Sequence, residues 1–146
     1  MFKTTSKMFY PTSKRSQRWD TIKQAMGEWR EGRPGSRTYN NSLRGYIRVS
    51  SHSERETAYW GSKNPATLPL VTEHFNGVLR YAVKKEESVP RSEQSRGFSK
   101  IIILEREIKG VGTAKLTVGV RPDGEMMHYC ITAAQADFEG CNLATC

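Results

Sequence analysis

Residues 98–133 read FSKIIILEREIKGVGTAKLTVGVRPDGEMMHYCITA, and this stretch decides the fold. Apolar and polar residues alternate through 98–108, 113–120 and 126–133, which is the two-residue period of a strand. Between these runs stand Lys109-Gly110-Val111-Gly112 and Arg121-Pro122-Asp123-Gly124, whose glycines and proline suit tight antiparallel turns. Three strands joined by two short turns form an antiparallel meander.

Working outward toward the N-terminus, residues 78–85 alternate as well. Leu79, Tyr81 and Val83 fall on one side, and Arg80, Ala82 and Lys84 on the other, which predicts a strand with one buried and one basic face. Residues 88–97 and the Gly/Asn/Ser-rich stretch 35–42 read as loops. Tyr46, Ile47 and Val49 give 43–49 strand character, while 54–60 and 67–75 predict short helices, the second opened by the turn signals around Pro65 and Pro69. Further out, Trp19, Ile22, Met26 and Trp29 recur at spacings that make one stripe of a helix. Ser13 or Ser16 is its candidate N-cap, and Gly32, Pro34 and Gly35 end it. The expected architecture is α+β: an N-terminal helix packed on an antiparallel, meander-type sheet of four to five strands. Residues 1–15 form an irregular basic arm, 16–135 a single domain, and 136–146 a C-terminal tail.

The chain has 146 residues, 36% of them hydrophobic and 26% charged, so one small core is expected. The first eighteen residues carry Lys3, Lys7, Lys14, Arg15 and Arg18 with no apolar centre, and no long apolar run occurs elsewhere. A membrane span and a secretory signal are therefore not expected, and a cytoplasmic location is. Cys130, Cys141 and Cys146 are odd in number and crowded near one end, which argues against a disulfide framework and for a reducing compartment. A zinc site from His128 with the three cysteines has its close ligand pairs only half present. No metal and no other cofactor is expected.

Charge is unevenly placed. Residues 1–50 hold 11 Lys and Arg against three acids, and residues 51–146 hold 12 of each sign, so the whole net charge of +8 lies in the first fifty. Such a half suits a polyanion, because Lys and Arg that neutralise phosphates release condensed counterions. Lys14, Arg15, Arg18, Lys23, Arg30, Arg33 and Arg37, with Arg80 and Lys84 from the basic strand face, are the candidate nucleic-acid contacts. The stripe between them, with Trp19 and Trp29, reads as core anchors.

The last hairpin carries the candidate chemistry. Matching its apolar faces sets Val118 beside Met127 and gathers Lys115, Thr117, His128 and Thr132 on one patch. Histidine can move a proton near neutral pH, lysine can offset phosphate charge, and threonine hydroxyls can donate to phosphate oxygens. The turn chemistry of Pro122-Asp123-Gly124 implies a competing register, pairing Arg121 with Glu125 and His128 with Val118. There His128 becomes a core or edge residue, and Tyr129 joins Lys115 and Thr117. His74 and His52 are further candidates. No phosphate loop, His-Glu-x-x-His or nucleophile elbow is present.

The basic N-terminal part followed by Lys115-Leu116-Thr117-Val118-Gly119-Val120 and His128-Tyr129-Cys130-Ile131-Thr132 resembles the small barnase/EndoU/colicin/RelE-like nucleases, over roughly residues 70–135. That resemblance implies metal-independent RNA cleavage through a 2′,3′-cyclic phosphate, with His128, Lys115, Thr117, Tyr129 and Thr132 as the sheet residues. The expected function is a small basic nucleic-acid-acting protein, with a metal-independent endoribonuclease of toxin or phage type as its enzymatic form. The alternative is a non-catalytic phage, plasmid or virus protein that binds nucleic acid or a host protein through its basic helix. Expected partners are nucleic acid, RNA before DNA, and a host or cognate inhibitor protein, with no membrane.

Overall fold

The computed structural model describes residues 13–90 and 97–134. Residues 1–12 of the arm expected over 1–15 lie outside them, as does the tail over 136–146, while Lys14 and Arg15 are helical and not irregular. Helix α1 (Lys14–Glu31) starts where Ser13 accepts a hydrogen bond from the Ser16 amide and stops at Gly32. Ile22 and Met26 are fully buried on its stripe, with Trp19 and Trp29 packed beside them. A 3-10 turn (Pro34–Ser36) leads into β1 (Arg37–Asn40) and β2 (Gly45–Arg48). Three helices follow, α2 (Ser51–Ser62), α3 (Thr67–Thr72) and α4 (Phe75–Tyr81), and then four strands, β3 (Val83–Ser88), β4 (Lys100–Ile108), β5 (Gly112–Val120) and β6 (Met126–Ala133).

The strands form one six-stranded sheet in the order β1-β2-β6-β5-β4-β3. The α+β class holds, but the sheet is mixed, because β2 runs parallel to β6. Strands β3 to β6 are the expected meander. The β1–β2 hairpin extends it on the β6 side, where the sequence predicts a loop over 35–42 and a lone strand over 43–49. The helices cover the face formed by Ile47, Leu104, Ala114, Leu116, Val118 and Ile131. Gly61 allows α1 and α2 to approach closely: a side chain there would collide with the Ile22 methyl, 2.6 Å from the Cβ position.

The predicted strand over 78–85 is a correction. Residues 75–81 are helical, and β3 begins only at Val83. Phe75, Val78, Leu79 and Ala82 are all buried, and their spacing of three, one and three is that of a helix face. The alternation of Leu79, Tyr81 and Val83 therefore crosses a helix end.

The β5–β6 hairpin follows the turn-chemistry register at its tip. The Arg121 amide donates to Glu125 at 2.8 Å, and Val118 pairs with His128. One step further the strand slips again, for Thr117 pairs with Cys130, Leu116 with Ile131 and Lys115 with Thr132. Tyr129 is the extra residue of a β-bulge. Beyond the short β2, the β6 amides of Ile131 and Ala133 donate to the hydroxyls of Thr57 and Thr67, both at 3.2 Å. Cys130, wholly buried, is disulfide-bonded, which departs from the expectation of a reducing compartment. Cys141 and Cys146 lie outside the described residues.

Candidate nucleic-acid interface

The register of β1 and β2 gathers two arginines and two tyrosines on one face of the sheet. Arg37 pairs with Arg48, Thr38 with Ile47, Tyr39 with Tyr46, and Asn40 with Gly45. Directly paired residues share a face, so Ile47 and Asn40 turn inward while two arginines and two tyrosines turn outward. Asn40 anchors the inner side. Its Nδ2 donates to the carbonyls of Leu79 and Ala82, at 2.7 and 3.1 Å, and its Oδ1 accepts from the Leu43 amide at 2.7 Å.

On the outer side the rings of Tyr39 and Tyr46 meet edge to face, with centroids 5.4 Å apart. They are 41% and 52% exposed. The Arg37 guanidinium lies 4.3 Å from the centre of the Tyr46 ring. Arg48 Nη2 reaches the Glu125 carboxylate at 2.9 Å. An open groove of about 580 Å3 runs beside them, lined by Arg37, Arg44, Tyr46, Arg48 and Glu125 among others. Arg44 closes the hairpin with φ at +57°, a left-handed conformation in which arginine is uncommon. Cation, ring and hydroxyl thus converge on one rigid edge, and what they suit chemically is an anionic chain carrying planar groups.

The cations named from the sequence divide by position. Arg18 donates from Nε and Nη2 to the Ser62 carbonyl, at 3.0 and 2.7 Å, and Arg15 Nε donates to the Ser62 hydroxyl at 3.1 Å. Both cap the C-terminal end of α2, where cations are favoured. Arg30 forms an ion pair with Glu54 at 2.5 Å, and the Glu54 side chain is only 7% exposed. Arg33 stacks on Trp29, 4.7 Å from its centre. Lys84 pairs with Glu87 at 2.7 Å, which together with Lys100 holds that carboxyl below its ordinary value. Arg80 lies over Tyr81 at 5.6 Å. Lys14 is exposed and Lys23 half-buried on α1. Of these residues Arg37 lines the groove. Arg44, Arg48, Tyr39 and Tyr46 were missed, although the two-residue spacing of Arg37 with Tyr39 and of Tyr46 with Arg48 was there to be read.

The residues named for catalysis do not form one patch. Lys115, Thr117 and Thr132 occupy the sheet face turned away from the helices, with Lys115 opposite Thr132 and Thr117 only 4% exposed. Tyr129, in the bulge, meets Phe98 edge to face at 6.4 Å. His128 points to the helix side, where its Nε2 lies 3.2 Å from Thr57 Oγ1 and its ring meets Phe75 at 5.5 Å. It is 1% exposed, and burial pushes its pKa down from the ordinary 6.5 to about 3. The imidazole is therefore uncharged near neutral pH. His52 is exposed, 4.0 Å from Glu56, and His74 precedes α4, 4.0 Å from Glu73. Among the described residues no cluster of three or more His, Cys, Asp or Glu could hold a metal ion, and no helix is long and apolar enough to cross a membrane.

No protein-family model matches this chain, and no curated protein or solved structure matches it either. The resemblance to small nucleases thus rests on the sequence pattern alone.

Proposed function

We propose that the protein binds single-stranded nucleic acid, RNA in the first instance, on the outer face of the β1–β2 hairpin, and that it binds without cleaving. The observation that carries this is the cross-strand square of Arg37, Arg48, Tyr39 and Tyr46. A polyanion laid along this face can take charge-assisted hydrogen bonds from both Arg37 and Arg48, displacing Glu125 from Arg48. Tyr46 offers a ring for a base, and stacking of that kind contributes about 1–3 kcal/mol per base. Arg37, Arg48 and the neighbouring Arg44 on phosphates predict a salt slope of about −2 in log affinity against log salt, each single-strand contact adding about −0.7.

Binding without turnover follows from His128, which is neutral, buried and on the opposite face from Lys115 and Thr132. The experiment is fluorescence anisotropy of a labelled uridylate 12-mer with wild type and the Arg37→Glu, Arg48→Glu double variant, at several salt concentrations. A gel of the same RNA after incubation in EDTA completes it. Expected are salt-dependent binding, a loss of about 100-fold or more in the double variant, and intact RNA. Equal affinity in both proteins removes the hairpin reading, and cleavage restores the nuclease one.

A further inference from the structure

The groove beside the hairpin face holds one acid among its cations. Arg37, Arg44 and Arg48 line it with the half-exposed ring of Tyr46, and Glu125 is the sole carboxylate among the described residues of its wall. A carboxylate standing where phosphates bind repels them, unless it meets donors of its own.

Glu125 is held firmly in place. Its amide donates to Asp123 Oδ1 at 2.9 Å, and its carbonyl accepts from the Arg121 amide at 2.8 Å, so the main chain is tied on both sides where the hairpin turns. From there Oε2 meets Arg48 Nη2 at 2.9 Å, and Oε1 faces Arg121 Nε at 3.6 Å. The side chain is 34% exposed, and a carboxylate accepts about four hydrogen bonds, so these two cations leave it room for further donors. A phosphate that takes Arg48 frees Oε2 as well. Glu125 then needs donors in place of the guanidinium, beside a tyrosine ring on which a base can stack.

Which base supplies them follows from the Watson–Crick edges that a single strand leaves open. Guanine presents two N–H groups side by side, N1–H and the 2-amino group, which match the two oxygens of a carboxylate. Adenine and cytosine present one amino group next to a ring acceptor, and uracil presents one N–H between two carbonyl oxygens. Each of these sets an acceptor against the second carboxylate oxygen.

We infer that Glu125 makes the groove selective for a guanine base, its carboxylate receiving N1–H and the 2-amino group while Arg37 and Arg48 hold the neighbouring phosphates. This rests on the hairpin reading above and adds to it the base that is read.

The test is fluorescence anisotropy of labelled nine-nucleotide uridylate strands whose central position carries uridine, guanosine, inosine, adenosine or cytidine. Proteins are wild type, Glu125→Gln and the Arg37→Glu, Arg48→Glu variant. Inosine keeps N1–H and lacks the 2-amino group. In wild type the guanosine strand should bind about tenfold tighter than the all-uridine strand, and inosine should lose most of that gain. In Glu125→Gln the ratio of guanosine to uridine affinity should fall to about threefold or less, because an amide offers one oxygen in place of two. Equal affinity of wild type for all the strands, inosine bound as tightly as guanosine, or a guanosine preference undiminished in Glu125→Gln overturns the inference. The hairpin reading survives these results so long as the double arginine variant loses affinity. No binding of any strand, or equal affinity of wild type and the double variant for every strand, overturns both.

Discussion

The β1–β2 and β5–β6 hairpins each carry polar side chains that could serve as a site, and they end up in opposite states. In the first, a regular register keeps Arg37, Tyr39, Tyr46 and Arg48 on one outward face. In the second, a turn of one register and a bulge at Tyr129 send His128 inward and leave Lys115 and Thr132 outside. Since each slip of one residue exchanges the faces, the bulge decides whether the histidine belongs to a surface or to the core. What separates the two hairpins is pairing geometry, while their compositions are comparably polar.

The largest effect to expect comes from the buried imidazole. The unfolded chain takes up a proton on His128 near pH 6.5, whereas the folded protein does so only near 3. The unfolded state therefore binds the extra proton between these values. The contribution is fully present above pH 6.5 and is lost as pH falls toward 3, by about 1.4 kcal/mol per pH unit. Urea midpoints of wild type and His128→Gln at pH 7.5, 5.5 and 4.5 should diverge accordingly, the wild type losing more on acidification. A His128 resonance that titrates near 6.5 in the folded wild type would contradict it.

Thr57→Val tests the same hairpin from the helix side. It removes the acceptor of the Ile131 amide and the partner of His128 Nε2 together, and should cost about 2–3 kcal/mol in thermal or chemical unfolding. RNA affinity should stay unchanged, and a parallel fall in affinity would show that the two hairpins are not separate in function. Tyr46→Ala, on the other hairpin, should weaken RNA binding about tenfold with little change in melting temperature. The smallest expected effect is in Glu125→Gln. Releasing Arg48 and Arg121 from their shared carboxylate should tighten RNA binding about threefold at low salt, a gain that fades as salt is raised. Weaker binding by this variant would mean that the carboxylate positions the arginines instead of competing for them.

The meander was legible because three alternating runs are punctuated by turns whose glycines and proline leave little choice. Helix α1 was legible for the same kind of reason, since its tryptophans, isoleucine and methionine repeat at one period. Strand β1 was not, because its four residues present only Thr38 and Asn40 inward, and neither looks like core until Asn40 is seen bonding to Leu79 and Ala82. Helix α4 is too short for its period to outweigh an alternation that runs past its end. The charge imbalance located the cations of the first fifty residues, but their roles depend on partners far away in sequence, as with Arg18 and Ser62 or Arg30 and Glu54. The bulge at Tyr129 left no mark that residue types alone could reveal.

The hydroxyls of Thr57 and Thr67 have an additional consequence. By taking up the amides of Ile131 and Ala133, they stand where a neighbouring strand would bond. An apolar border in the middle of the molecule is thereby closed to recruitment, without the lysines or prolines that commonly guard such borders. Any growth of this sheet by a second molecule is confined to the outer margins, at β1 and β3.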